Sequence, residues 1–450
     1  MTRPHVVIIG GGFGGLETAR RLAKAPVQIT LLDRRNHTLF QPLLYQVATA
    51  ALNPSDIAYP IRAAVSKQQN VRVLLAEALA IDPVARTVTL EGGLLHYDYL
   101  VVATGATHSY FGKDQWAPHA PGLKSVEDAL EIRRRIFLAY EAAERESDPA
   151  AQREWLTFAV VGGGPTGVEL AGALGEIGLQ TLKKDFRSID PTDVRVVLFE
   201  GKDRVLLAYP PKLSAAAKRS LESRHVDVRL NTLVTALDDR GVTVKTAAGE
   251  EHFGVRTILW AAGVEASPLA GFLGAPRDRS GRVIVNPDLS IPDRPEVFVI
   301  GDLAQMISDG VEVPGVAQGA LQGGRHIAKI IGREARGDSG RPAFRYHDKG
   351  NMATIGRAEA VVATKRVAIH GYIAWLMWWA VHIFFLVGFR NRVLVMLNWM
   401  WSWLTFQRGA RLITGPVGPL PPITTIDEHG VLVMPPASET IAVRESPPPS

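Results

Sequence analysis

The chain has 450 residues, too many for one hydrophobic core of ordinary size, so two or three domains are expected. Hydrophobic residues make up 46% and charged residues 21%, which places it among globular chains; a formal charge of +5 does not argue for nucleic acid but suits an anionic membrane surface or ligand. Cysteine is absent, which excludes disulfide frameworks, iron–sulfur ligation, thiolate zinc sites and any redox-active dithiol, and no His and carboxylate cluster suggests a metal.

The first apolar run, His5 to Ile9, leads straight into glycines. It is too short for a secretory signal, so the catalytic body is expected to face the cytoplasm. Gly10-x-Gly12-x-x-Gly15, with Gly11, Phe13 and Gly14 between, follows this predicted strand and opens a predicted helix over Leu16–Lys24. The first glycine permits a tight turn, the second lets backbone approach a pyrophosphate, and the third lets helix pack on sheet. The helix N-terminus then offers unpaired N–H groups to phosphates. The next strand, VQITLLD, ends at Asp33, whose carboxylate is placed for a ribose diol. A glycine-rich turn without a ligand is the bland alternative.

Strands and helices alternate through the first three hundred residues, and the pattern occurs twice. VVIIGGGFGG (6–15) is echoed by VVGGGPTGVE (160–169), and LVVATGA (100–106) by ILWAAGV (258–264). The second fingerprint is Gly162-x-Gly164-x-x-Gly167, and its acidic strand end is Glu200, after VRVVLFE. The interval is long because the helix from Thr166 is expected to run to about Phe186. Glu200 at a ribose would repel a 2′-phosphate, which favours NADH over NADPH; a solvated strand end is the alternative. Gly263, in the echoed turn, is assigned to the same nucleotide. A third signal, VFVIGDLA (297–304), reads as a buried strand that returns to the first unit. Asp302 at its end would reach a long cofactor crossing that unit, which assigns FAD to the first unit and NADH to the second. A helix N-cap is the other reading of Asp302.

After about residue 330 the character changes. Residues 371–389 carry no formal charge, and 393–406 form a second, Trp-rich apolar stretch flanked by arginines. Nineteen helical residues give about 28 Å, enough to span a bilayer on length, but the second stretch is too short to return. A single span would leave the arginines on the far side, against the positive-inside tendency. Two helices lying in or dipping into the cytoplasmic leaflet are expected, with a buried core pair or a dimer interface as the alternative. His382 reads as a bonded core histidine. A proline-rich, poorly ordered tail closes the chain.

The segments GGGFGG, HTLFQPLLYQVATA (37–50), VVATGA, VVGGGPTGVELAG, LWAAGV, VFVIGDLA, PGVAQGALQGG (314–324) and YHDKGNMATIG (346–356) together resemble the type II, non-proton-pumping NADH:quinone oxidoreductases. The resemblance covers about residue 5 to about residue 410. It implies non-covalent FAD along the first domain, surrounded by Gly10 to Gly15, Asp33, Arg34, Ala78, Asp302, Ala317 and Gln318. It implies a catalytic role beside the flavin for Glu169 of the GVE motif. It places the quinone, menaquinone or ubiquinone, near Gln318 and Gln322, with Lys349 close by. It likens the C-terminal apolar segments to elements that dock such enzymes on one leaflet, at the cytoplasmic face of the cell membrane. Read from the residues alone, Gln318 and Gln322 share one helix face and suit an amphipathic surface equally, Lys349 suits a surface lysine, and Glu169 suits a helix carboxylate favoured by the dipole.

The expected fold class is α/β: two Rossmann-like dinucleotide-binding domains, the second inserted in the first, plus a C-terminal membrane-associated helical segment. Its parts are 1–120 and 283–335 for FAD, 121–282 for NADH, 336–412 for quinone and membrane, and 413–450 for the tail. A homodimer is compatible with the apolar C-terminus. A soluble NADH:acceptor flavin reductase and a non-enzymatic NADH/FAD redox sensor would share both nucleotide sites. The first would not need the Trp-rich stretches, and the second would lack quinone turnover.

Overall fold

A computed structural model describes residues 3–405, 408–417, 420–421, 425–426 and 432–433. Most of the proline-rich tail lies outside the described residues.

Two parallel sheets carry the fold. In the first, the order is Ser290–Ile291, Arg294–Val299, Tyr99–Val102, His5–Ile9, Gln28–Asp33 and Val71–Leu75; only the Ser290–Ile291 pairing is antiparallel. In the second, Val226–Arg229, Arg195–Phe199, Thr157–Val161 and Thr257–Trp260 lie side by side, all parallel. Each unit thus repeats the order third, second, first, fourth. Each also inserts a three-stranded antiparallel sheet between its third and fourth strands: Ala78–Asp82, Thr87–Leu90 and Gly93–His96 in one, Leu233–Leu237, Gly241–Thr246 and Gly249–Gly254 in the other. The strands read as continuous apolar runs because both faces are covered: Val6, Val7 and Ile8 are fully buried, and one face of the second sheet packs through Ala159, Val161, Val197 and Phe199 on Val234, Val242, Val244 and Phe253 of its antiparallel sheet. The segment VFVIGDLA joins the first sheet through Arg294–Val299, beside Tyr99–Val102.

Helix bounds differ from the pattern in two places. The first glycine turn is itself helical, so its helix is Phe13–Arg21 rather than Leu16–Lys24. The second helix is Pro165–Glu176, followed by one π-helical turn, Ile177–Thr181, and does not continue to Phe186. The helical winding widens at Ile177, and the wider turn closes with the Leu182 N–H on Ile177 O at 3.0 Å.

The last region is an antiparallel sheet of Asn351–Thr354, Ala360–Ala363 and Ala368–Gly371, then two helices, Tyr372–Phe385 and Phe389–Thr405. The uncharged run 371–389 is therefore not one helix. The chain turns at Gly388, whose φ of 89° favours glycine. Among the described residues no helix is long and apolar enough to cross a membrane. One face of this pair joins the core around the second sheet, with Ala374, Trp378 and Val395 buried. The opposite face exposes Ile373, Phe384, Phe389, Trp401 and Leu404.

Candidate active site

The C-terminal strand ends of the first sheet open into a cavity with ≈ 1560 Å³ of empty space, including open solvent. Gly10, Gly12, Phe13 and Gly14 line it from the first turn, Asp33 and Arg35 from the second strand end, and Asp302 and Ala317 from the returning segment. Glu169 reaches it from the second unit, and Met352 and His382 from the C-terminal region.

The glycine turns explain themselves sterically. A Cβ at Gly15 would sit 1.9 Å from the carbonyl oxygen of Gly10, and one at Gly167 would sit 1.8 Å from that of Gly162. These third glycines let helix meet strand. At Gly12 and Gly164 a Cβ would meet nothing within 4 Å, so backbone faces open space where a ligand would lie. Neither helix has a side-chain N-cap or an acid in its first turn. The long helix Val126–Arg145, by contrast, is closed by a Ser125–Asp128 capping box. The two fingerprint helices keep free N–H groups and the positive dipole end for an anion.

The acidic strand ends match each other. Asp33 Oδ2 accepts the Gly11 N–H at 2.6 Å, and Glu200 Oε2 accepts the Gly163 N–H at 2.6 Å. Their other oxygens accept from Arg35 N and Lys202 N at 2.7 and 2.8 Å. Both carboxylates are thus fixed beside a glycine turn before any ribose arrives. The cavity, the bare glycine backbone and the uncapped helix fit a pyrophosphate-bridged cofactor such as FAD.

Glu169 stands where the two units meet. It lines the large cavity and also a second pocket with Gly263, Trp260, Tyr45, His108 and Lys124. Burial pushes its carboxyl up to about 8, and the single N–H of Thr354, 3.4 Å from Oε1, only partly opposes this. The neighbouring Tyr45 hydroxyl is pushed up by burial, then by the Glu169 charge; it bonds Thr354 Oγ1 at 2.8 Å and receives Gln46 Nε2 at 2.9 Å.

Several residues singled out by sequence lie elsewhere. Arg34 is exposed, 3.7 Å from Glu77, because consecutive residues at a strand end face opposite ways; Asp33 and Arg35 face the cavity instead. Ala78 packs into the core of the first unit. Gln318 follows the cavity-lining Ala317 on a helix, which turns it off that wall, and its buried Oε1 has no hydrogen-bond partner among the described residues. Gln322 and Lys349 line a separate cleft with Arg325, His326 and Lys329. There the Gln322 amide is already occupied: Nε2 donates to His347 O at 3.0 Å and Oε1 accepts His347 N–H at 2.9 Å. Lys349 Nζ lies 5.6 Å from the Phe385 ring centre.

Other cavity residues carried no motif. Lys124, whose Nζ is 4.0 Å from Asp302 Oδ2, lies between the two pockets, and its only sequence signal is its place just before a helix cap. His382 is bonded, with Nδ1 2.7 Å from Trp378 O, yet it also lines the large cavity; burial pushes its pKa down to about 4, so it is neutral.

Comparison with known proteins agrees with this geometry. Residues 4–324 match the family model described as pyridine nucleotide-disulphide oxidoreductase, and residues 348–408 match the one described as NDH2 C-terminal domain. The chain is 47% identical over 425 residues to the type II NADH:quinone oxidoreductase NdhA of Mycobacterium tuberculosis, covering 92% of this chain and 90% of that protein. It belongs to the type II NADH:quinone oxidoreductase family. A second relative from that bacterium, Ndh, is 46% identical over 427 residues, with the same coverage of both chains. The solved NDH2 of Plasmodium falciparum in complex with NADH shares the fold, with a TM-score of 0.83 at 18% identity, over 92% of this chain and 100% of that one. As a type II oxidoreductase without cysteine, this chain keeps the two-nucleotide fold and has no dithiol.

Proposed function

We propose that the chain oxidises NADH and reduces a membrane quinone by two electrons through bound FAD, without pumping protons. The observation that carries this is Glu169, a partly buried carboxyl shared by the cavity of one dinucleotide unit and the pocket of the other. FAD, when bound, supplies a redox centre that takes a hydride and returns electrons to the acceptor. Gly10 to Gly15, Asp33, Arg35, Asp302 and Ala317 would hold it. Gly162, Gly164, Gly167, Glu200 and Gly263 hold NADH, with the Gly164 backbone open to its pyrophosphate and Glu200 at its ribose. A carboxyl titrating at about 8 holds a proton at neutral pH and can release it when charge develops nearby, the role assigned to Glu169. Gln318, whose buried amide oxygen has no hydrogen-bond partner among the described residues, is the second residue assigned to the quinone. Gln322 acts on the same side by holding the backbone at His347, which positions Lys349. The exposed apolar face of the two last helices docks the enzyme on the cytoplasmic leaflet, where the acceptor resides.

The protein purified in detergent should be yellow and should oxidise NADH, followed by absorbance, only when a quinone is added. A flavin-loaded protein that binds NADH but never turns over any quinone would instead be a redox sensor, and the proposal would fail.

A further inference from the structure

We propose that Lys124 supplies the positive charge that stabilises the flavin ring when it accepts a hydride, with Gln41 and Asp128 holding the lysine in place. This inference rests on FAD occupying the large cavity and NADH the second pocket.

The large cavity and the second pocket share four lining residues: Gln41, Lys124, Thr166 and Glu169. Lys124 is the one cation of the four. Hydride transfer requires reacting atoms about 3–3.5 Å apart, so the ring belongs where the two spaces meet. A hydride carries two electrons and one proton. Its arrival leaves the ring one unit more negative, and the nicotinamide left behind gains the opposite charge. A cation fixed at that boundary stabilises the charge that develops more than the starting state. The other basic groups are placed less well. Arg35 lines the large cavity alone and pairs with Glu127 at 3.2 Å. His108 lines the second pocket alone and bonds Asp128 at 3.2 Å. His382 is neutral, with its pKa pushed down to about 4 by burial, and Lys349 lines a different cleft.

The main chain of Lys124 is held from both sides. Its N–H donates to Asp128 Oδ2 at 2.9 Å, within the capping box that closes the helix Val126–Arg145. Its carbonyl accepts Gln41 Nε2 at 3.1 Å. Gln41 belongs to the FQPLL segment, which neither glycine turn explains. The ammonium group, by contrast, is uncommitted. It makes no hydrogen bond among the described residues, and Asp302 Oδ2 stands 4.0 Å away, with the two side chains 25% and 27% exposed. So long and open a pair adds little to stability. The three N–H donors of Lys124 remain available to a ligand. A rigid backbone with a free charged end is the arrangement that electrostatic preorganisation requires.

The test uses the full-length protein purified with its FAD and the variants Lys124→Gln, Lys124→Arg and Gln41→Leu. The flavin midpoint potential is read from visible absorbance in a titration against redox dyes. Lys124→Gln should shift the redox equilibrium about tenfold toward the oxidised flavin, about 30 mV for two electrons, as loss of a charge-assisted contact predicts. Lys124→Arg should keep the wild-type potential, and Gln41→Leu should give a smaller shift of the same sign. In stopped flow, the rate of flavin bleaching at saturating NADH should fall about tenfold in Lys124→Gln. The half-saturating NADH concentration and the melting temperature should stay as in the wild type. An unchanged potential in Lys124→Gln overturns the proposal. A raised half-saturating NADH concentration at unchanged potential also overturns it, because the lysine then binds a nucleotide phosphate. So does a Lys124→Gln variant that cannot hold FAD while Gln41→Leu holds it at the wild-type potential, because the lysine is then an anchor. A wild-type flavin that NADH does not reduce fails differently: it sinks the placement of FAD and NADH itself.

Discussion

Glu169 owes its chemistry to where it sits. An ordinary glutamate titrates near 4.5, and burial raises this one to about 8. The folded protein therefore binds a proton that the unfolded chain has released anywhere between those values. The stability tied to this group is fully present below 4.5, falls as pH rises and levels off above about 8. Glu169→Gln, a neutral mimic of the acid form, should flatten that window, so the flavin-free melting temperature should fall less between pH 5 and pH 8 than in the wild type. The same variant should remove a transition near pH 8 from the rate of quinone reduction; a transition that persists would assign it to another group. Glu200, proposed to meet the NADH ribose, is fixed by the backbone N–H groups of Gly163 and Lys202. Glu200→Gln removes the charge that repels a 2′-phosphate, so the NADPH-to-NADH ratio of kcat/KM should rise about tenfold, as loss of a charge-assisted contact predicts. An unchanged ratio would place Glu200 away from the ribose.

At the scale of elements, the C-terminal region is tied to the body by a buried arginine. Arg133, 3% exposed on the helix Val126–Arg145, donates to Val47 O, Leu52 O and Ala410 O at 2.8, 2.9 and 3.1 Å. Burial lowers its pKa to about 10, still charged at neutral pH. It fastens the segment after the last helix to the loop beside Tyr45. Arg133→Ala would strand three carbonyls and leave a void, so a loss of about 3 kcal/mol is expected in denaturant unfolding. A loss under about 1 kcal/mol would show that water replaces the guanidinium without penalty. Arg408, 8% exposed, reinforces the same seam by donating to Thr49 O at 2.7 Å while facing Glu176 at 3.3 Å.

For the whole molecule, the two last helices face both ways. Trp378 and Val395 are core residues, so removing everything from about 365 onward would strip the core as well as the exposed apolar face. Point changes on the outer face are the cleaner test. Phe384 and Leu404 are 69% and 63% exposed. Replacing both by Asp should leave flavin content and menadione turnover intact and reduce co-sedimentation with anionic vesicles more than about tenfold, given about 1.5–3 kcal/mol per large apolar side chain removed from lipid. Full co-sedimentation of this variant would exclude the face as the docking surface.

The duplicated glycine turns, the acids at Asp33 and Glu200 and the apolar strands between them were legible because each depends on local rules: a period, a turn, a fixed offset. Two nucleotide-binding units followed directly. Side-chain direction was not local. Whether Arg34 or Arg35 faces the cavity depends on how the strand end leaves the sheet, and whether Gln322 meets a ligand or the backbone of His347 depends on a loop 25 residues away. The same holds for His382, read as a bonded core histidine from its apolar segment, which packing also sets against the large cavity. By itself the sequence determined the two sheets and their phosphate-binding turns, because those follow from neighbours along the chain. Only the tertiary structure decided that Glu169 and Lys124 stand between both units, because burial and enclosure are properties of surfaces brought together from distant parts of the chain.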